Sequence, residues 1–316
     1  MSALTAKPNA PWSYLGHEIY SVSSNPEDFS KGEIPSNKPV VLLVHGFGAS
    51  SDHWRFNIPV IAQNYEVHAI DLIGFGRSAK PSELDYGGDL WKEQIVSYVK
   101  ERIRKPTVII GNSLGGYAAL AAGAALEFES AGVVLLNAAG YFSDEKTVSE
   151  SKDFGQNIRK IVGEGLSRDV LFQSLFYPLI QRLIFENLRR PSVIRSTLKQ
   201  VYIDPTNVDD YLIESIRRPS LDPGAFQVFR KVFQARGLKG KPIDELFMDL
   251  KSPLLLLWGD SDPWLRNAKA KQEKFRLFAN KASLKVKEVL LNAGHCPHDE
   301  VPDRVNQEVL NWLQGN

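Results

Sequence analysis

The chain has 316 residues, 43% hydrophobic and 24% charged, which suits one large domain or two small ones built around a sizeable core. Lys plus Arg number 38 against 37 for Asp plus Glu, a formal charge of +1, so no global field draws the chain to nucleic acid. A single cysteine, Cys296, excludes an internal disulfide and a cysteine-rich metal site and suits a reducing compartment, by default the cytoplasm.

Met1 to Trp12 carries neither an apolar core of signal-peptide length nor an Arg-rich amphipathic pattern, so no export or transit segment is expected. No apolar run approaches the ~18 residues needed to span a bilayer. Tyr14 to Val22 is expected to supply further strand near a sheet edge, and the polar stretch Glu27 to Lys38, with Gly32 and Pro35, a hairpin loop. Short apolar runs then recur at Val40–Val44, Val67–Leu72, Thr107–Ile110, Val133–Leu136, Leu254–Trp258 and Val286–Leu291. Runs of this length bounded by turn signals suit strands buried on both faces, and the spacing between them suits crossover helices. An α/β architecture with a mostly parallel, doubly wound sheet follows.

From about Gly140 to Lys251 the rhythm breaks, and helical stretches appear with Pro178, Pro191, Pro205, Pro219 and Pro223 as punctuation. So long a segment between two strands of one sheet must fold as its own layer. The expected division is a core of residues 1–140 and 251–316 with a helical lid at 141–250. Within the lid, Ile180, Leu183, Ile184 and Leu188 form an apolar stripe that Pro191 ends, with Arg182, Arg189 and Arg190 on the polar side. The stripe either packs the lid on the body or lines a channel for a greasy chain, with Ile180 and Ile184 as substrate contacts, and is compatible with transient contact at a membrane surface. Arg304 to Leu313 reads as a closing amphipathic helix.

The chemistry centres on Gly111-Asn112-Ser113-Leu114-Gly115, placed after a strand run and before the alanine-rich run Tyr117 to Leu126. A serine on such a strand-turn-helix junction exposes its hydroxyl at a helix N-terminus that favours developing negative charge, so Ser113 is the candidate nucleophile. It needs a base and a group that orients the base. His295, beyond the last strand run, is the expected base, with His298 as its rival. Of the two carboxylates in Gly259-Asp260-Ser261-Asp262-Pro263-Trp264, Asp262 is favoured because Pro263 biases it to an extended conformation at the loop's turning point, whereas Asp260 suits a turn brace. Backbone N–H groups of Leu114 and of Phe47, in His45-Gly46-Phe47-Gly48, are the candidate oxyanion donors. Asp71 to Ser78 lacks the third glycine and the Lys-Ser/Thr ending of a phosphate loop and is expected to be a structural turn behind the site.

These segments together resemble the α/β-hydrolase superfamily over almost the whole chain, and the order Ser113, Asp262, His295 matches its nucleophile, acid, base order. Gly111–Tyr117, Trp258–Trp264, Ala293–Glu300, Asn207–Tyr211 and Arg218–Pro223 are similar to a cyanobacterial and chloroplast branch whose best understood relatives are pheophytinase and chlorophyll dephytylase. The resemblance implies a serine hydrolase that cleaves a small hydrophobic carboxylic ester, of the phytyl type in those relatives, without cofactor or metal, in the cytoplasm or at the periphery of photosynthetic membranes. Asn112 before the serine also occurs in carbon–carbon bond hydrolases of aromatic ring-fission products, which makes Asn112 a candidate substrate contact and that reaction an alternative. A second alternative is a lidded ligand receptor with an idle triad. Ser113 in place of a carboxylate speaks against dehalogenase and epoxide hydrolase mechanisms. Trp54, in His53-Trp54-Arg55, resembles a position near the pocket in those families, or is a core tryptophan.

Overall fold

The computed structural model describes residues 7–24, 37–144, 170–234, 240–263 and 268–315. Most of the stretch read as a hairpin loop, and Trp264, lie outside them. Among the described residues ten strands are formed: β1 (Lys7–Pro8), β2 (Trp12–Tyr14), β3 (His17–Ile19), β4 (Ser21–Ser23), β5 (Val40–Val44), β6 (Val67–Ile70), β7 (Thr107–Asn112), β8 (Ser130–Leu136), β9 (Leu254–Gly259) and β10 (Val286–Leu291). Eight of them make one sheet in the order β1-β4-β6-β5-β7-β8-β9-β10, parallel from β6 to β10, with β1 and β4 antiparallel at one edge. The residues before β4 do not extend it: Leu15 and Gly16 adopt φ of 52° and 78°, and this tight turn folds β2 onto β3 as a separate hairpin.

Alternation along the central strands builds two cores. Leu42, Val44, Leu254, Leu256 and Trp258 face a layer of helices that includes Gly88–Tyr98 and Leu114–Leu126. Val41, Leu43, Leu255 and Leu257 face Trp54, Ile58, Tyr65 and the closing helix Pro302–Gln314 through Val305, Val309 and Trp312. Complete burial of these branched side chains is worth about 1.5–3 kcal/mol each, which makes the sheet the rigid part of the molecule. β10 departs from the expectation of a strand buried on both faces. It is the sheet's edge, and Leu290 on it is 58% exposed.

After β5 the chain adds β6 on one side and then crosses to add β7 on the other. The crevice at such a switch point lies beyond the strands' C-terminal ends, between the loops leaving β5 and β7. Val44 pairs with Gly111, so His45-Gly46 and Asn112-Ser113 leave the sheet side by side.

Between the paired strands β8 and β9 come only helices among the described residues: Val170–Leu188, Pro191–Val201, Asp210–Arg217, Ala225–Gln234 and Ile243–Asp249. The last packs on the body through Ile243, Leu246 and Phe247. The insertion returns where it leaves: Ile243 N–H donates to Tyr141 O (2.8 Å), and Tyr117 on the body donates its hydroxyl to Lys241 O (2.7 Å). Among the described side chains of Val170–Leu188 the buried ones are Gln181 and Phe185, the latter against Phe226 and Phe229. The expected stripe is corrected accordingly: Ile180, Ile184 and Leu188 are half-buried, and Leu183 is 61% exposed. No helix of the described residues is long and apolar enough to cross a membrane.

Backbone proximity sets one strict demand. A Cβ on Gly115 would lie 2.3 Å from His45 O and 2.5 Å from Val44 O, atoms that cannot move without parting β5 from the helix. Gly115→Ala is expected to lower stability by at least the ~1–3 kcal/mol typical of overpacking, measured by denaturant unfolding, whereas Gly315→Ala, with 3.6 Å to its nearest neighbour, stays near wild type.

Candidate active site

Ser113 has φ 54° and ψ −119°, a conformation that costs a non-glycine residue on the order of 1–3 kcal/mol and persists only where neighbours dictate it. Here they do. Its N–H donates to Leu136 O (3.0 Å), and its carbonyl accepts from Gly116 (3.0 Å), Tyr117 (3.2 Å) and Ala139 (2.9 Å). The turn therefore places Ser113 at the N-terminus of Leu114–Leu126, whose first N–H groups have no intrahelical partner. The adjoining loop comes very near, since a Cβ on Gly46 would sit 3.4 Å from the Ser113 Cβ.

His45 fixes that loop. Its Nε2 accepts from Leu72 N–H (3.0 Å), which leaves Nδ1–H to donate to Gly46 O (2.7 Å), and burial pushes its basicity down, in keeping with this neutral form. In a trans peptide the C=O and the following N–H point in opposite directions. Anchoring Gly46 O on the His45 ring therefore turns Phe47 N–H away from that ring. The Asp71–Ser78 turn braces the loop from behind, as expected: Asp71 accepts from Ser51 N–H (2.6 Å) and Arg77 N–H (2.7 Å).

The structure joins Asp262 and His295. Both are about 6% exposed, and His295 Nδ1 lies 2.6 Å from Asp262 Oδ2, the distance of a charge-assisted hydrogen bond. With Nδ1 held by the acid, Nε2 projects from the opposite side of the ring. The rivals lie elsewhere. Asp260 is exposed and accepts from Ser261 Oγ (3.0 Å), while His298 is fully buried, 4.2 Å from the Trp54 ring and 4.4 Å from the His53 ring.

Two amides that composition alone does not mark hold the loops together. Asn112 Nδ2 donates to Leu136 O (3.1 Å) and His295 O (3.0 Å). Asn137, at φ 42° just beyond β8, donates to Gly294 O (2.8 Å) and His295 O (3.2 Å) and accepts from Gly259 N–H (3.0 Å). Asn112, expected to contact substrate, is thus a buried brace that ties the serine's neighbour to the histidine's carbonyl. Asn137 was missed; the one available signal is an asparagine at a strand's end, a residue type that tolerates left-handed backbone.

Three segments noted in the sequence, around Arg55, Asn207–Tyr211 and Asp299, converge at the root of the insertion. Arg55 donates to Asp299 (2.9 Å), to both oxygens of Asp209 (2.8 and 2.7 Å) and to Asn207 O (2.7 Å). Tyr202 gives its hydroxyl proton to Asp299 (3.1 Å), so its oxygen accepts from His53 Nε2–H (3.0 Å). A second foot stands on Lys80, which is almost wholly buried and donates to Asp222 (2.9 Å), Gly76 O (2.7 Å) and Ser78 O (3.1 Å). Trp54 lies in the core below this network, 1% exposed. Burial pushes the Cys296 thiol well up, which keeps it neutral and unreactive.

A sequence profile described as the alpha/beta hydrolase family matches residues 41–308. The chain is 29% identical to chloroplastic pheophytinase of Arabidopsis thaliana over 308 residues, an alignment covering 87% of this chain and 61% of that protein's length. Among solved structures it superposes on a membrane phospholipase A described as a bacterial virulence factor (TM-score 0.72, 23% identity, 98% of this chain and 86% of that one). It also superposes on a serine hydrolase involved in carbazole degradation (TM-score 0.71, 20% identity, 99% and 100% covered). At these identities the two structures establish the shared fold.

The buried histidines at the insertion's root make stability depend on pH. Burial lowers the His53 pKa from 6.5 to about 4 and that of His298 well below its usual value, and neither ring nitrogen of His298 has a hydrogen-bond partner among the described residues. Such rings take up protons on unfolding, so the stability they allow is complete above about pH 6.5 and is lost as pH falls below it, for His53 down to about 4. Each adds a slope of up to about 1.4 kcal/mol per pH unit in that window. Replacing His298→Phe keeps the ring stack and is expected to remove its share of the slope, read from denaturant melts at pH 7.0, 6.0 and 5.0. An unchanged slope would assign the loss to other groups.

Proposed function

The chain belongs to the alpha/beta hydrolase family, and from that premise we propose that it is a serine hydrolase of hydrophobic carboxylic esters acting through an acyl-enzyme. The observation that carries the reading is the 2.6 Å Asp262–His295 pair, tied through Asn112 to the strained turn that bears Ser113. Ser113 Oγ attacks the ester carbonyl while His295 Nε2 takes its proton. The oxygen gains charge, and in this reading the N–H groups of Phe47 and Leu114 are the donors that stabilise it. His295 then returns the proton to the departing alcohol, water enters as the second nucleophile under the same base, and the acid is released. Asp262 holds the ring in the required tautomer and balances its charge while it is protonated.

Residues 141–250 act as the lid in this reading, with helix Val170–Leu188 presenting half-buried Ile180 and Ile184. Leu179 and Leu183 on the same helix are 56% and 61% exposed, which supports uptake of substrate from a lipophilic phase. The relation to pheophytinase supports a long-chain alcohol such as phytol as the leaving group.

Ser113→Ala is expected to abolish turnover of p-nitrophenyl esters and labelling by a fluorophosphonate while keeping the wild-type melting temperature; equal labelling of both proteins would remove Ser113 from its role. Asp262→Asn is expected to lower kcat by about 10³–10⁴-fold, as loss of the correct tautomer does, and Asp260→Asn by far less.

Along a chain-length series, kcat/KM is expected to rise by about fourfold for each methylene that enters the pocket, from roughly 0.8 kcal/mol per buried CH₂. A flat profile with turnover of a vinylogous diketone would point to carbon–carbon bond hydrolysis instead.

A further inference from the structure

The N–H groups of Gly294 and His295 are satisfied from outside the loop. Gly294 N–H donates to Glu300 Oε2 (2.7 Å), and His295 N–H donates to Val201 O (2.8 Å), the last residue of the insertion helix Pro191–Val201. The other oxygen of Glu300 accepts from Ile203 N–H (2.8 Å) and Asp204 N–H (2.9 Å), immediately after that helix. One carboxylate thus bridges the residue before the base to the insertion. The packing is close: a Cβ on Gly294 would lie 2.1 Å from Val201 O and 3.1 Å from Glu300 Oε2.

We propose that Glu300 is a positioning residue which makes residues 201–204 of the insertion part of the support of His295, so that the insertion helps set where the imidazole stands relative to Ser113. The proposal rests on the serine hydrolase reading. The acceptor side of the same loop is held by the body through Asn112 and Asn137, and the donor side by Glu300 and Val201. A loop gripped from both sides keeps its side chain within the narrow range that proton transfer demands, and a displacement of about 1 Å costs on the order of a hundredfold. Releasing the donor side leaves His295 bonded to Asp262 but free to shift with it.

Glu300→Gln keeps the size of the side chain but turns one acceptor into a donor, so one group of N–H partners is left facing another donor. The test compares wild type, Glu300→Gln and Glu300→Asp for kcat and KM on a short p-nitrophenyl ester, for the rate of Ser113 labelling by a fluorophosphonate, and for melting temperature, with all kinetics well below the lowest melting point. The expected result for Glu300→Gln is a fall of about ten- to a hundredfold in kcat and a parallel fall in labelling rate, with KM within about threefold of wild type. A variant that melts earlier but keeps wild-type kcat and labelling would overturn the proposal, since Glu300 would then only brace the fold. Should Glu300→Gln not fold, Glu300→Asp is read in the same way; it keeps both acceptors on a side chain one methylene too short to span the gap. Wild type that is neither labelled nor active would instead sink the serine hydrolase reading, and this proposal with it.

Discussion

A peptide group removed from water must find a hydrogen-bond partner, and at Gly294-His295 no neighbouring strand can supply one. That requirement organises the crevice. The two carbonyls are met by asparagine side chains from the ends of β7 and β8, and the two N–H groups by Glu300 and the insertion. Each partner belongs to a different part of the chain, so the His295 loop is where sheet, closing segment and insertion are joined. Bonds to a charged carboxylate are worth roughly 1.5–3 kcal/mol each, so Glu300 holds this junction firmly.

The unfavourable backbone of Ser113 is carried by the same sheet. Strands buried on both faces provide the free energy that outweighs a strained turn, and small residues at Gly111, Gly115 and Gly116 let a helix start within contact of two strands. In the proposed reaction this rigidity has a chemical use, because hydrogen-bond donors that need no reorganisation stabilise a developing charge better than mobile ones. His45 contributes from the other bank. It looks like a titratable group of the crevice, yet both its nitrogens are committed to main-chain partners.

How much of this was legible in the sequence varied with the range of the interaction. Apolar runs located the central strands because period and length are local properties, and the glycines around Ser113 located the turn for the same reason. The pairing of Asp262, rather than Asp260, with His295 was also within reach, since proline neighbours and strand ends limit where a side chain can point. The partners of Asn137, Glu300 and Arg55 were not. Each meets groups from distant segments, and nothing in the local sequence says which carbonyl or amide will arrive there. Asn112 and the Leu183 stripe were misjudged on a related ground. A residue's neighbours in sequence indicate which face it occupies only once the packing of the next element is known. At the last residue of β7 that packing turned the amide inward, and on Val170–Leu188 it buried Phe185 and left Leu183 outside.

The insertion leaves the body at Tyr141 and returns at Ile243, where the two chain ends are hydrogen-bonded side by side. A segment whose ends already touch is easily exchanged in the course of evolution, because a replacement of any length meets the same two attachment points. In this chain, however, the segment also carries Val201, Ile203, Asp209 and Asp222, which dock on the His295 loop with Glu300, on Arg55 and on Lys80. If the insertion selects substrate as proposed, new preferences would be acquired most readily by exchange within Val170–Leu188 alone, with the docking half inherited together with the body as one unit.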